Sequence, residues 1–170
     1  MGLRGRTVCE QEGELYGKYR PIKVNKILYN HPLGYNLYGL NWNKENIKLM
    51  KKAIVVEGEK SVLKSATYFG IGNNICVATC GSSLSSYQFQ LLISLGVEEI
   101  IIGFDKQFEK LNTEESNKWA KKLTQLHNRY KNDVLISFLW DRDNILGYKS
   151  SPLDEGPEKF QYLFKERIML

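Results

Sequence analysis

Four apolar runs alternate with segments of helical periodicity, and this alternation constrains the fold more than any other feature. The runs stand at 53–56 (AIVV), 74–79 (NICVAT), 98–104 (EEIIIGF) and 133–140 (DVLISFLW). The helical segments between them are 59–70, 85–96 and 112–130. Strands that are apolar throughout and joined by helices are typical of a parallel sheet covered on both faces. The sequence therefore predicts an α/β fold with a parallel sheet of about four strands flanked by helices.

Residues 1–50 depart from this pattern and carry most of the positive charge. KYRPIKVNKILYN at 18–30 alternates like strands, and NKENIKLMKK at 43–52 predicts a short helix with Asn43 as its N-cap. Residues 1–52 hold ten lysines and arginines against four acids. This excess indicates either a surface that binds a polyanion or a solvated surface rich in lysine. We expect three parts, which are a small basic β-rich subdomain at 1–50, the sheet domain at 51–150 and a helical tail at 151–170.

Three of the four predicted strands are followed by a carboxylate. Functional groups of open parallel sheets gather beyond the carboxyl ends of the strands. All four ends lie at one edge of a parallel sheet, so we expect the groups that follow them to converge. These groups are Glu57 with Gly58, the loop 79–83, Asp105, and Asp141 with Asp143.

The expected cluster of carboxylates favours a site for Mg²⁺ or Mn²⁺. Carboxylates that converge raise each other's pKa unless a cation lies between them. Oxygen ligands suit these two ions, which commonly serve phosphoryl transfer. Gly58 and Gly81 would let a phosphate approach the backbone. The alternative for each acid is a helix N-cap or a strand-end charge that faces water, but three acids in register favour the metal site.

The composition argues against several other classes of protein. No run approaches the roughly 20 apolar residues that a membrane helix needs, and the N-terminus has no apolar signal-peptide core. Two histidines and three widely spaced cysteines argue against a zinc site. We therefore expect a cytoplasmic protein with no membrane partner.

Three motifs at the strand ends resemble those of Toprim domains. VVEGEKSV at 55–62 resembles their glutamate motif, and ATCGSS at 78–83 resembles their glycine-serine loop. IIIGFDKQ at 100–107 resembles their aspartate motif. The order and spacing of the three are similar to those of bacterial and phage DNA primases.

The first part of the chain extends this resemblance to primases. GLRGR at 2–6, KYRPIK at 18–23 and NLYGL at 36–40 resemble segments of the primase basic subdomain and of the stretch before the Toprim part. The resemblance covers about residues 2–160. It implies a primase catalytic-core fragment with a Toprim-like parallel sheet and a basic, β-rich N-terminal subdomain.

The resemblance also implies an activity and residues that carry it. The activity is metal-dependent nucleotidyl transfer that makes RNA primers on single-stranded DNA. Glu57 and Asp105 would be the catalytic residues. The metal ligands would be Glu57, Asp105, Asp141 and Asp143, with Asp154 as a further candidate. The phosphate or nucleotide loop would comprise Gly58, Lys60, Gly81, Ser82 and Ser83. Contacts with nucleic acid would come from Arg6, Lys18, Arg20 and Lys23.

Cofactor, partners and location follow from the same resemblance. The implied cofactor is Mg²⁺ or Mn²⁺, in two or more copies. The implied partners are single-stranded DNA, nucleoside triphosphates and a replicative helicase that would bind through regions outside this chain. The implied location is the cytoplasm of a bacterial or phage-infected cell.

Two positions depart from the family's pattern. The usual motif is Asp-x-Asp, whereas this chain has Asp105-Lys106-Gln107. Ser150 stands where phage-type members have an acid after a lysine. These losses of charge favour one alternative to the primase, a nucleic-acid-binding Toprim module with weakened catalysis. A second alternative is a Toprim nuclease that would use the same metal cluster to hydrolyse nucleic acid, but the segments of the basic first part resemble those of primases.

Overall fold

The structure is a computed structural model that describes residues 4–17, 19–29 and 32–170. The chain divides into two compact units, Met1–Leu33 and Gly34–Leu170. None of the helices in the described residues is long and apolar enough to cross a membrane.

The N-terminal unit is a small antiparallel sheet with one helix. Its elements are β1 (Arg4–Arg6), α1 (Glu10–Tyr16), β2 (Tyr19–Val24) and β3 (Ile27–Tyr29), and the strands pair in the order β1-β2-β3. Asn25 and Lys26 join β2 to β3 with φ of 49° and 67°. Positive φ at both central residues is the requirement of a tight two-residue hairpin. The strands expected from the alternation at 18–30 are therefore present.

The second unit contains a five-stranded sheet between helices. Its elements are α2 (Leu40–Met50), β4 (Lys52–Val56), α3 (Glu59–Phe69), β5 (Cys76–Ala78), α4 (Ser86–Ile93), β6 (Glu99–Gly103), α5 (Glu114–Tyr130), β7 (Leu135–Phe138), α6 (Pro157–Lys165) and β8 (Ile168–Met169). The strand order is β5-β4-β6-β7-β8. The first four are parallel, and β8 is antiparallel to β7. The predicted α/β fold with four parallel strands is confirmed.

The sheet is buried because most residues of its strands are apolar. Every residue of β5 and β6 is buried, and so are the last four residues of β4. On the β5 edge, Tyr38 forms an isolated antiparallel bridge with Ala78. Its two backbone hydrogen bonds have N···O distances of 2.8 and 3.0 Å. On the other edge, β8 pairs with the last two residues of β7.

Helix α2 starts earlier than the sequence predicts, and it belongs to the sheet unit. It begins after Gly39, whose φ is 85°. A Cβ at this glycine would lie 2.7 Å from Val62 Cγ1. Asn43 is therefore not the N-cap; its buried side chain donates Nδ2–H to the carbonyl of Cys76 at 2.8 Å. Because Ile47 of α2 is also fully buried, the units divide after Leu33 rather than near residue 50.

Two helices, α4 and α5, begin at reciprocal side-chain caps. Ser85 Oγ accepts a hydrogen bond from the Gln88 N–H, and Gln88 Oε1 accepts one from the Ser85 N–H. Thr113 and Ser116 exchange the same pair of bonds at the start of α5. Such boxes satisfy two backbone donors that the first turn of a helix leaves free. They fix where the loops after β5 and β6 end.

Candidate active site at the carboxyl edge of the sheet

The register of two neighbouring strands brings Glu57 and Asp105 to the same edge. Strands β4 and β6 run parallel, and Val56 lies beside Gly103. Glu57 follows β4 directly, and Asp105 comes two residues after β6 ends. The backbone N–H of Asp105 lies close enough to the Glu57 carboxylate to act against the rise of its pKa. The expectation that these two acids converge follows from this pairing, and the geometry satisfies it.

The two carboxyls are partly buried and repel each other. Burial and the charge of Asp105 raise the pKa of Glu57 to about 7, although Lys122 and the Asp105 N–H act against the rise. Burial and the charge of Asp154 raise the pKa of Asp105 to about 6, with Lys60 acting against it. Groups with such raised pKa values stay ionised together at neutral pH most readily when a cation lies between them.

One oxygen of Glu57 has no hydrogen-bond partner among the described residues. Its Oε1 is buried, and no group in the described part of the protein donates a hydrogen bond to it. A buried acceptor without a donor costs free energy, about 1–3 kcal/mol in typical cases. This oxygen is therefore available to a ligand from outside the chain.

Asp154 lies near Asp105 but is already neutralised by lysines from α3. Lys64 Nζ lies 2.7 Å and Lys60 Nζ 3.2 Å from its Oδ1. The Ser151 N–H donates to its other oxygen at 3.2 Å. Burial raises the pKa of Asp154, but these hydrogen bonds outweigh it and lower the pKa overall. Lys60, predicted as a phosphate contact, thus stands between two acids of the site.

Asp141, a predicted metal ligand, is paired with a buried lysine in this structure. Asp141 and Lys106 are both almost fully buried and form an ion pair, with Nζ 2.8 Å from Oδ2. The carboxylate also accepts the N–H groups of Ile145 and Leu146 at 2.8 and 2.9 Å. Lys106 donates its remaining protons to Asn144 Oδ1 and to the Leu146 carbonyl. All of these groups are satisfied by one another, so Asp141 has a structural task.

Asp143 does not join the pair either. It is exposed, and its carboxylate accepts a hydrogen bond from the hydroxyl of Tyr162. Of the four predicted metal ligands, the structure brings only Glu57 and Asp105 together. Apolar runs precede both Lys106 and Asp141 in the sequence, but no local pattern indicates that the two charges are paired.

The two departures from the primase motifs have defined surroundings. Gln107 is partly buried, and its Nε2 donates to the Asp105 carbonyl at 3.2 Å. Ser150 donates its hydroxyl to Glu155 Oε1 at 3.3 Å, and its carbonyl accepts the N–H of Lys106. Gln107 thus lies in the aspartate loop itself, whereas Ser150 anchors that loop to residues near Glu155.

The two predicted phosphate-binding glycines face open space. A Cβ built at Gly58 or Gly81 would lie more than 4 Å from every other group of the described chain. Neither has a positive φ. Packing therefore does not require glycine at either position. Ser82 Oγ accepts a hydrogen bond from Lys122 Nζ at 3.0 Å, while Ser83 is exposed in the same loop.

The predicted nucleic-acid contacts lie in the N-terminal unit. Arg6 belongs to β1, and Lys18 lies outside the described residues. Arg20 forms an exposed ion pair with Glu12 and lies 5.5 Å from the centre of the Tyr16 ring. Lys23 is exposed on β2. These positions stay predictions for contacts with nucleic acid.

The carboxylate pair fits one divalent cation rather than a multi-acid cluster. In residues 4–17, 19–29 and 32–170, no three His, Cys, Asp or Glu side chains are placed to hold a metal ion. Magnesium is, however, usually bound by one or two carboxylates together with waters and substrate phosphates. Glu57 and Asp105, with the unpartnered oxygen of Glu57, match that donor set.

Comparison with known proteins gives one curated relative and a group of solved structures. No family model matches the chain. It is 38% identical, over 175 aligned positions, to the SPbeta prophage-derived uncharacterized protein YorJ of Bacillus subtilis strain 168. The alignment covers 99% of this chain and 46% of YorJ, so the chain spans about half the length of that relative. The relative's prophage origin agrees with the phage-type resemblance of the motifs.

The similar solved structures are primase domains. The zinc-binding and RNA polymerase domains of Aquifex aeolicus primase give a TM-score of 0.66 at 24% identity, covering 99% of this chain and 37% of that one. A DnaG primase catalytic domain bound to single-stranded DNA gives 0.64 at 22%, covering 99% and 48%. The E. coli primase catalytic core gives 0.64 at 23%, covering 100% and 49%. The chain therefore has the fold of the catalytic core of DnaG-type primases, as its motifs indicated.

Proposed function

We propose that this chain is a primase-like core that carries out metal-dependent nucleotidyl transfer and makes RNA primers on single-stranded DNA. The observation that carries the proposal is the Glu57–Asp105 pair at the carboxyl edge of the sheet. Its raised pKa values and its unpartnered oxygen suit a site for a divalent cation. The fold supports the proposal, since one similar structure is a primase domain bound to single-stranded DNA.

The residues of the pair have distinct tasks in this proposal. Glu57 and Asp105 would hold one Mg²⁺ or Mn²⁺, which when bound neutralises charge on the triphosphate and lowers the pKa of a bound hydroxyl. The carboxylates would fix the position of the reacting groups beyond the ends of β4 and β6. Glu57 would also take the proton of the attacking hydroxyl, a transfer typical of carboxyl groups with raised pKa values.

Lysines around the pair would hold the negative charges of the substrate. Lys60 and Lys122 approach the carboxyls closely enough to lower their pKa values. Both side chains are exposed, so they can turn toward a phosphate. Lysine binds phosphate as a point charge on a flexible stem. The absence of side chains at Gly58 and Gly81 leaves the backbone there open to a phosphate.

A primer-synthesis assay tests the proposal. Wild-type protein, a single-stranded template, ribonucleoside triphosphates and Mn²⁺ or Mg²⁺ should give short RNA products. Glu57→Gln and Asp105→Asn should each lower the rate by about 100-fold or more, the usual contribution of such a group. Glu109→Gln is the matched control, because Glu109 is an exposed acid of the same loop. Synthesis that survives Glu57→Gln would contradict the assignment.

One observation favours a second candidate, a nucleic-acid-binding module with weakened catalysis. The aspartate motif carries Gln107 in place of its second acid, and Asp141 is committed to Lys106. This candidate predicts binding of single-stranded DNA without synthesis in the same assay. Shortening of the template strand in that assay would instead indicate a Toprim nuclease.

A further inference from the structure

A small cleft opens beside the carboxylate pair, between the loop 82–84 and α5. Its volume is about 210 Å³. Three buried apolar side chains, Leu84, Phe104 and Leu123, form its floor. We refer to this site, bounded by the loop 82–84 and by residues 122–129 of α5, as the α5 cleft. Of the residues that line it, the proposed function uses Lys122, and the resemblance to primases implies Ser82 and Ser83 as part of a phosphate loop.

Two cations stand on the rim of the α5 cleft. Lys122 and Arg129 both line it and are seven residues apart on α5, which places them about two turns apart on one face of the helix. Arg129 has no carboxylate partner within the described residues, and its guanidinium lies 5.8 Å from the centre of the Tyr130 ring. Lys122 Nζ donates to Ser82 Oγ at 3.0 Å and lies 4.8 Å from the centre of the Trp119 ring, and none of the described acids forms an ion pair with it. Two positive charges therefore face the cleft without neutralisation by an acid at hydrogen-bond distance.

The cleft lies near the carboxyl edge of the sheet. Phe104, which forms part of its floor, directly precedes Asp105. Lys122, on its rim, lies close enough to Glu57 to lower the pKa of that carboxyl. A ligand in the cleft would therefore reach the pair without crossing the sheet.

We propose that the α5 cleft binds one nucleotide, with the base on the apolar floor and the phosphate between Lys122 and Arg129. Apolar walls with a few convergent polar groups are the usual composition of a small-molecule site. Arginine and phosphate form charge-assisted hydrogen bonds, and Gln125 and Ser83 on the rim offer groups that can bond the base edge. The volume is below the roughly 300–1,000 Å³ of drug-sized sites, so it suits a single nucleotide unit. The choice of a nucleotide as the ligand rests on the proposed function, in which nucleoside triphosphates are the substrates.

Titration of ¹⁵N-labelled protein with ATP in EDTA tests the cleft separately from the metal pair. Amide resonances of Ser82, Ser83 and Gln125 should shift with saturation. Lys122→Gln and Arg129→Gln should each weaken binding at least about five-fold, the loss expected for one exposed charge-assisted contact. Lys121→Gln is the matched control, because it removes the same charge from the neighbouring position on α5 and does not line the cleft.

Two further probes decide the ligand. Tripolyphosphate lacks the base and should bind at least about five-fold more weakly than ATP, since it leaves the apolar floor uncovered. The nucleotide in the cleft could be free or could be part of a DNA strand, and an octathymidylate tests the second case. The cleft holds whichever of the two, ATP or octathymidylate, loses more affinity in Arg129→Gln.

Three outcomes would overturn the proposal: equal losses in Lys121→Gln and Lys122→Gln, tripolyphosphate binding as tight as that of ATP, or no saturable binding of either nucleotide probe. These measurements are made without metal, so their result does not depend on whether the protein makes primers. Conversely, a loss of primer synthesis in Glu57→Gln would not change the expected binding of nucleotide in the α5 cleft.

Discussion

Removing the charge of Glu57 should stabilise the metal-free protein at alkaline pH. Burial and Asp105 raise the pKa of Glu57 from its usual 4.5 to about 7. Since a tenfold change in proton affinity corresponds to about 1.4 kcal/mol, this rise corresponds to at most about 3 kcal/mol of lost stability. The carboxyl is only partly buried, so solvent screens part of the effect. We expect Glu57→Gln to raise the free energy of unfolding by about 2 kcal/mol at pH 8.

The sign of the effect follows from the two pKa values. Below pH 4.5 the carboxyl is protonated in both the folded and the unfolded chain, so Glu57 costs nothing there. Between pH 4.5 and 7 the unfolded chain releases the proton first, and wild-type stability falls. Above pH 7 the cost is constant. The difference between Glu57→Gln and wild type should therefore grow from pH 4.5 to 7 and then stay level.

Urea unfolding in EDTA, followed by tryptophan fluorescence, measures this difference. All three tryptophans, at 42, 119 and 140, belong to the unit with the carboxylate pair. A gain of about 2 kcal/mol corresponds to a rise in Tm of about 4–8 °C for a chain of this size. Saturating Mg²⁺ should stabilise wild type through linkage and stabilise Glu57→Gln less. A variant that is less stable than wild type at pH 8, or a difference equal at pH 4 and pH 8, would refute the reasoning. Glu109→Gln is the control for removing an exposed acid.

Three further predictions concern the aspartate loop and the basic part of the chain. Gln107→Asp places a second acid beside Asp105 and should tighten Mg²⁺ binding in calorimetry; an unchanged affinity would mean that residue 107 never meets the ion. Lys106→Met leaves Asp141 buried without its partner and should cost about 3–5 kcal/mol in urea unfolding, whereas Lys106→Met combined with Asp141→Leu should recover most of that loss; equal stability of the single and double variants would count against a buried pair. Binding of single-stranded DNA should weaken with salt, with a slope of log K against log salt of about −0.7 for each phosphate contacted; fluorescence anisotropy at several salt concentrations measures the slope, and a flat line would contradict electrostatic binding.

The four parallel strands, and the placement of two of the four predicted metal ligands at one edge of the sheet, could be predicted from local sequence. Apolar runs gave the four parallel strands because a strand buried on both faces needs apolar residues throughout. Glu57 and Asp105 could be placed together because neighbouring parallel strands end at one edge. The caps at Ser85 and Thr113 also depend only on local sequence, because a side-chain cap uses residues within one turn of the helix.

The rest depends on contacts between distant segments. Whether Asp141 meets a metal or a lysine depends on the path of Lys106, which follows a different strand. Asp154 likewise receives two lysines from α3, some 90 residues earlier in the chain. Strand β8 has only two residues. A segment this short has no recognisable strand pattern in the sequence, and it is a strand only because it pairs with β7.

The short antiparallel partners at the two sides of the parallel sheet have a consequence for self-association. An uncovered strand presents free N–H and C=O groups that can recruit a strand from another molecule. Tyr38 occupies the outer groups of Ala78 on β5, and β8 occupies the last two residues of β7. These few hydrogen bonds should limit strand-to-strand pairing between copies of the chain. We expect a variant that ends before Ile168 to keep its carboxylate pair but to expose the outer edge of β7, and therefore to aggregate at lower concentrations than the whole chain.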